Sequence, residues 1–218
     1  MGESVETASS PCAATEADWG FAPSPIVVAL VLAGGEGVRI GGGKPGRLLA
    51  GRRLVDHAIQ IARRESKTIA IGLRALEQVS AAATHVVLDQ PGIDGPMASL
   101  AAGLAWAKDC GARFLLTLPC DAPFIPHGLV QRLTQRLEAS RATVALPASY
   151  GRVHPSCGLW RADVGDRIAD YLSSGRRSLQ GFAEHVGYVI EDWGAPPRDP
   201  FYNINTPEAL VAAETWFA

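Results

Sequence analysis

Seven consecutive apolar residues, Ile26-Val-Val-Ala-Leu-Val-Leu32, run directly into Ala33-Gly-Gly-Glu-Gly-Val-Arg39-Ile-Gly-Gly-Gly-Lys44. The apolar run is rich in branched side chains and has no polar alternation, the pattern of a parallel strand covered on both faces. Such a strand commits the chain to helices on either side of a sheet. The glycines after it let backbone N–H groups converge on an anion with no Cβ in the way. Arg39 and Lys44 add full positive charge, the first as a bidentate fork and the second as a point charge. Together strand and loop predict a nucleotide-phosphate site. The competing reading, a strand–helix turn that needs glycine only for packing, gives Arg39 and Lys44 no reason to be there.

Two familiar phosphate loops do not fit. A P-loop requires Gly-x-x-x-x-Gly-Lys followed by Ser or Thr, but Gly37 and Gly42 are followed by Gly43, and Lys44 is followed by Pro45. The dinucleotide fingerprint Gly-x-Gly-x-x-Gly fails because Ile40 stands where its last glycine belongs. A different loop is therefore required.

The rest of the chain repeats the strand–helix rhythm. Apolar runs at 68–72, 85–88, 113–118, 143–146 and 188–191 predict strands, with a further apolar piece at 157–160. Helical spacing predicts helices at 52–65, 75–83, 96–108, 127–140, 162–172 and 178–185. A last helix opens at Thr206-Pro207-Glu208, where Thr is the cap and Pro occupies the first turn. This βαβα order predicts a doubly wound α/β sheet carried by one domain over residues 26–218. Residues 1–25, with four acids and no Lys or Arg, read as a disordered acidic tail.

Ligands of open α/β sheets bind beyond the carboxyl ends of the strands. Three polar clusters fall there: the glycine loop, the 89–96 stretch after the third strand, and Pro119-Cys-Asp-Ala-Pro123 after the fourth. They are expected to share one cleft. Net charge is 20 − 22 = −2, which excludes a nucleic-acid backbone as the general partner, yet residues 36–65 carry seven Lys or Arg against three acids. A local basic patch in a near-neutral chain suits a small anion. No apolar run reaches the roughly 20 residues of a membrane helix, and no secretion signal is visible, so a cytoplasmic protein with four free thiols is expected.

Asp121, three residues beyond an apolar strand and facing a phosphate loop, is placed to hold a divalent metal; the alternative is a turn or helix cap. Asp89 and Asp94 flank a Gly-Pro turn and either accept from a base or ribose, or simply form the turn. Asn203 and Asn205 alternate and would share a face if extended, completing a shell or satisfying loop backbone. His154 reads more readily as structural than functional. Cys120 has no recognisable partner for nucleophilic chemistry.

Taken together, Leu32-Ala-Gly-Gly-x-x-x-Arg39-Ile-Gly-Gly…Lys44, Asp89…Gly95-Pro96, Pro119-Cys-Asp121-x-Pro123 and Asn203-Ile-Asn205-Thr-Pro-Glu resemble the molybdenum cofactor guanylyltransferases, over residues 27–211. Where that family reads Gly-Gly-x-Asp-Lys, this chain runs through Gly41-Gly-Gly43 into Lys44 without the Asp, and Gly-Pro-Leu-Ala-Gly becomes Gly95-Pro-Met-Ala-Ser99. The resemblance implies a Rossmann-like three-layer α/β/α fold with a mostly parallel sheet, of the nucleotide-diphospho-sugar transferase type. It implies magnesium-dependent transfer of GMP from GTP to molybdopterin, with release of pyrophosphate. By the same resemblance Gly34, Gly35, Arg39 and Lys44 hold the triphosphate. Leu32, Ala33 and Asp89 surround the guanine, with Gly95 and Pro96 completing the nucleotide site. Asp121 binds magnesium, and Asn203 and Asn205 lie on the molybdopterin side. Arg39, Lys44 and Asp121 would carry catalysis. Expected partners are GTP, molybdopterin and molybdoenzymes or other proteins of the cofactor pathway, with no nucleic acid or membrane. Two other readings stay open: a nucleotidyltransferase using another nucleotide or a sugar phosphate, and an impaired relative that binds or delivers molybdopterin.

Overall fold

The computed structural model describes residues 27–35, 43–78 and 85–217. The expected acidic tail, Arg39 and the far end of the helix expected at 75–83 lie outside the described residues.

Seven strands form the continuous path of one sheet. They are β1 (Val27–Leu32), β4 (Thr68–Leu73), β5 (His85–Leu88), β6 (Phe114–Pro119), β7 (Val144–Ser149), β9 (Leu159–Arg161) and β10 (Tyr188–Asp192). Their order is β5-β4-β1-β6-β9-β7-β10, with the two-residue strand β8 (Arg152–Val153) hydrogen-bonded to β7 as an eighth. A separate two-residue hairpin joins β2 (Leu48–Leu49) to β3 (Arg52–Arg53). Pairs β1–β4, β1–β6, β4–β5 and β7–β10 are parallel, and only β9, antiparallel to both neighbours, and the β8 hairpin depart from this.

The unbroken apolar run of β1 is explained by its two covered faces. Ala29 and Val31 pack into the core beneath α1 (Leu54–Glu65) and α3 (Leu129–Glu138). Val28 and Leu30 point the other way, into the core under α2 (Pro96–Asp109), α4 (Ile168–Ser173) and α5 (Leu179–Val186). Strand β9 does the same with Leu159 and Trp160, which enter opposite cores. The buried Thr117 hydroxyl of β6 accepts from the Trp160 indole N–H at 3.0 Å and from Gly158 N at 3.1 Å, and donates to Gly158 O. Each buried polar group there has its partner.

Local expectations differ from the structure at three places. The helix expected from residue 52 begins at Leu54, because Arg52 and Arg53 form the return strand of the hairpin, whose turn holds Ala50 and Gly51 at positive φ. The described part of 75–83 is a single 3-10 turn, Leu76–Gln78; the Gln78 side chain accepts from Arg74 N at 2.7 Å and Ala75 N at 3.3 Å. The 162–172 helix is split into a 3-10 stretch, Ala162–Arg167, and α4. Cys120 and Cys157 are free and buried. Among the described residues no helix is long and apolar enough to cross a membrane.

Candidate active site

The chain leaves β1 to build β4 and β5 on one side, then returns to build β6 on the other. Helices therefore diverge between β1 and β6, and a crevice opens beyond the carboxyl ends of these two strands. Leu32 and Pro119 are register partners there, and Cys120 N donates to Leu32 O at 3.2 Å. The two loops expected to share a cleft are thus delivered side by side by the sheet.

Lys44 stands at the centre of the arrangement. Gly43 adopts a left-handed conformation (φ 58°), which favours glycine, and one 3-10 turn follows with Pro45 buried. The Lys44 Nζ donates to Asp121 Oδ2 at 2.5 Å and to Asn205 Oδ1 at 2.5 Å. The two charged side chains retain only 14% and 12% exposure. Asn205 arrives because 203–205 runs extended: Ile204 is buried beside Leu49, Leu54 and Ala213, and its N–H donates to Asp121 O at 2.9 Å. Asn203 and Asn205 on either side of it remain accessible. α6 (Pro207–Glu214) follows, capped by the Thr206 hydroxyl as expected.

The cleft occupies about 280 Å³. Of the residues singled out in the sequence, Leu32, Gly34, Gly35, Asp89, Gly95, Pro96, Asp121 and Asn203 line it. Ala33 is buried beneath, its N–H bonded to Gly72 O at 3.0 Å. Lys44 and Asn205 join through Asp121. Gly95, at φ 69°, turns the chain into α2, whose N-terminus meets the cleft through Gly95 and Pro96. Asp94 is exposed.

Arg74 and Ser156, to which nothing in the sequence pointed, also line the cleft, as does Ser99, noted in the sequence only as a departure from the family pattern. Ser99, which stands where the resembling family has glycine, donates from Oγ to Asp89 Oδ1. Arg74 follows β4 as Asp89 follows β5, and only the pairing of β4 with β1 on one side and β5 on the other makes it a neighbour of the glycine loop and of Asp89.

His154 and Cys120 behave as structural groups. His154 is buried, stacks on Phe201 at 4.9 Å between centroids, and shares a hydrogen bond of 2.8 Å between Nε2 and Ser149 Oγ; that hydroxyl donates to Asp199 at 2.7 Å. Burial holds its pKa below the ordinary value, with Asp199 pulling the other way and Arg152 adding to the depression. Burial and the adjacent Asp121 push the Cys120 thiol up to about 12, only partly countered by Lys44. A thiol so hard to ionise is no nucleophile.

Comparison with known proteins accords with this geometry. Residues 29–186 match the family model described as the MobA-like NTP transferase domain. The molybdenum cofactor guanylyltransferase of Cereibacter sphaeroides is 37% identical over 187 residues, covering 85% of this chain and 94% of that protein. That of Rhodopseudomonas palustris is 38% identical over 201 residues, covering 89% and 95%. Among solved structures, molybdopterin-guanine dinucleotide biosynthesis protein A from Archaeoglobus fulgidus superposes with a TM-score of 0.71 at 20% identity, covering 87% of this chain and 98% of that one. The 2-C-methyl-D-erythritol 4-phosphate cytidylyltransferase of Thermus thermophilus gives 0.62 at 21% identity, covering 88% and 98%. These two likenesses establish the α/β nucleotidyltransferase fold. Strand order, cleft position and the match over most of its length agree: the chain belongs to the MobA-like NTP transferase family and is a nucleotidyltransferase.

Proposed function

We propose that this enzyme transfers GMP from GTP to molybdopterin, releasing pyrophosphate, in the cytoplasm and within a single domain over residues 26–218. The observation that carries the reading is the convergence of Lys44, Asp121 and Asn205 at the switch point between β1 and β6. Relatives named molybdenum cofactor guanylyltransferase, similar over 85–89% of the chain, support the choice of substrates.

The terminal phosphate of molybdopterin attacks the α-phosphorus of GTP and pyrophosphate leaves. Such transfers need positioning and charge neutralisation more than covalent help. Gly34 and Gly35 let the chain approach the nucleotide closely. Lys44 releases its bonds to Asp121 and Asn205 to meet phosphate oxygens, and Arg39 supplies a second cation. Asp89, with Leu32, Ala33, Gly95 and Pro96 around it, receives the base. Asn203 and Asn205 orient the molybdopterin end.

A magnesium ion fits the donor set. Magnesium takes one or two carboxylates and completes its shell with water and phosphate oxygens. Asp121, a carboxylate at the cleft wall, would hold it. Once bound, it would neutralise charge on the phosphates.

The experiment is pyrophosphate release from GTP, and in parallel from CTP, with molybdopterin and magnesium present. Release specific to GTP is expected. Preference for CTP would retain the chemistry and overturn the substrate, and binding of molybdopterin without release from either would mark a carrier.

A further inference from the structure

Beyond β1, β4 and β5, three parallel neighbours, the chain delivers Gly34, Arg74 and Asp89 to the same end of the sheet. Asp89 N donates to Leu73 O at 2.8 Å, which fixes the two loop starts against each other. Gly34 is the floor between them. A Cβ built there would lie 3.2 Å from Asp89 Oδ2 and 3.4 Å from Arg74 Cγ, so both side chains pass over the missing methyl group. On the far side, Ser99 is 5% exposed and commits Asp89 Oδ1 by donating to it. The second carboxylate oxygen is thereby left towards Gly34 and the cleft.

The wall so formed has an acceptor-only group beside a donor-only group. A carboxylate accepts; a guanidinium donates, through a planar fork. Guanine presents the complement: N1–H and the 2-amino group as adjacent donors, then O6 and N7 as adjacent acceptors. The arginine fork is the commonest partner of that O6/N7 pair wherever proteins read guanine. Adenine reverses both signs, offering an amino group to the arginine and a bare ring nitrogen to the carboxylate. Cytosine has no N7.

We propose that Arg74 is a base-selecting residue that donates to guanine O6 and N7. Ser99 is a positioning residue that aims Asp89 Oδ2 at N1–H and the 2-amino group. The inference rests on the guanylyl-transfer reading for its nucleotide and adds to it the residues that choose the base. It also gives the Ser99 departure a physical purpose, since a glycine there would leave both oxygens of Asp89 free to rotate.

The test is nucleotide binding by the full chain, measured calorimetrically with GTP, 7-deaza-GTP (which lacks N7) and ITP (which lacks the 2-amino group). Each analogue is expected to bind about tenfold more weakly than GTP, the worth of one hydrogen bond to a charged group. Arg74→Ala, a change at an exposed position, abolishes the 7-deaza penalty and retains the ITP penalty. Ser99→Ala does the converse. Equal binding of GTP and 7-deaza-GTP by the natural protein, or a 7-deaza penalty that survives Arg74→Ala, overturns the assignment. A chain that discriminates at N7 but transfers nothing to molybdopterin refutes the proposed function and upholds this inference. One that transfers guanylate without discriminating at N7 does the reverse.

Discussion

Replacing Asp121 by Asn keeps the shape of the side chain and removes its charge. Breaking a fully buried ion pair by neutralising one partner typically costs about 3–5 kcal/mol. Here Lys44 and Asp121 retain 14% and 12% exposure, and Asn205 still offers its oxygen to Nζ at 2.5 Å. Residual solvent and these remaining dipoles reduce the loss to about 1–2 kcal/mol. For a domain of this size that lowers Tm by roughly 3–6 °C. The effect on transfer is far larger: loss of one charged group from the transition-state environment costs on the order of 100- to 1,000-fold in rate. The two effects separate in a cycle with Lys44→Met. The double variant contains no unpaired charge, so its urea midpoint returns towards that of the natural protein, while pyrophosphate release from GTP stays lost. The assays are urea denaturation and coupled pyrophosphate detection in excess magnesium. If Asp121→Asn keeps more than half the natural rate, Asp121 neither holds the metal nor serves the reaction, and the proposed site is wrong.

Gly34→Ala should raise the KM for GTP by roughly tenfold with little change in Tm, because the new methyl group meets Asp89 Oδ2 at 3.2 Å rather than the core; an unchanged KM would mean the nucleotide passes elsewhere. Thr117→Val strips partners from the Trp160 indole and Gly158 N–H, both buried, and is expected to cost about 2–4 kcal/mol of stability in urea titrations. For His154 the folded pKa lies below its ordinary 6.5, so the unfolded chain binds a proton first as pH falls. Its contribution is complete above pH ~6.5 and declines below that value, and His154→Gln should flatten this part of the stability–pH curve. A curve equally steep in that variant would place the dependence on other groups.

The strongest signals in the sequence belonged to what is local. A seven-residue apolar run at the start of the domain, short, rich in branched residues and closed by glycines, announces a strand covered on both faces. Thr206-Pro207 marks a helix start because cap and proline act within one turn. The alternation Asn203-Ile204-Asn205 already held its outcome: with Ile204 inward, both asparagines face the same side. The motif residues of the cleft were legible for the same reason, lying within a few residues of a strand end.

What only the tertiary structure decided depends on strands distant in sequence becoming neighbours. The antiparallel insertion of β9 between β6 and β7 exists because Leu159 and Trp160 fill cores on opposite faces, a relation no local period encodes. Lys44 meets Asp121 and Asn205 across separations of 77 and 161 residues. Arg74 had no motif to mark it, because it follows an ordinary strand, and Ser99 was marked only as a departure from the Gly-Pro-Leu-Ala-Gly pattern, with nothing local to say what its hydroxyl meets. They gain their place in the cleft from the pairing of β4 with β1 and β5 and from the packing of α2 on the sheet, because a side chain's chemistry is local but its partners are set by topology.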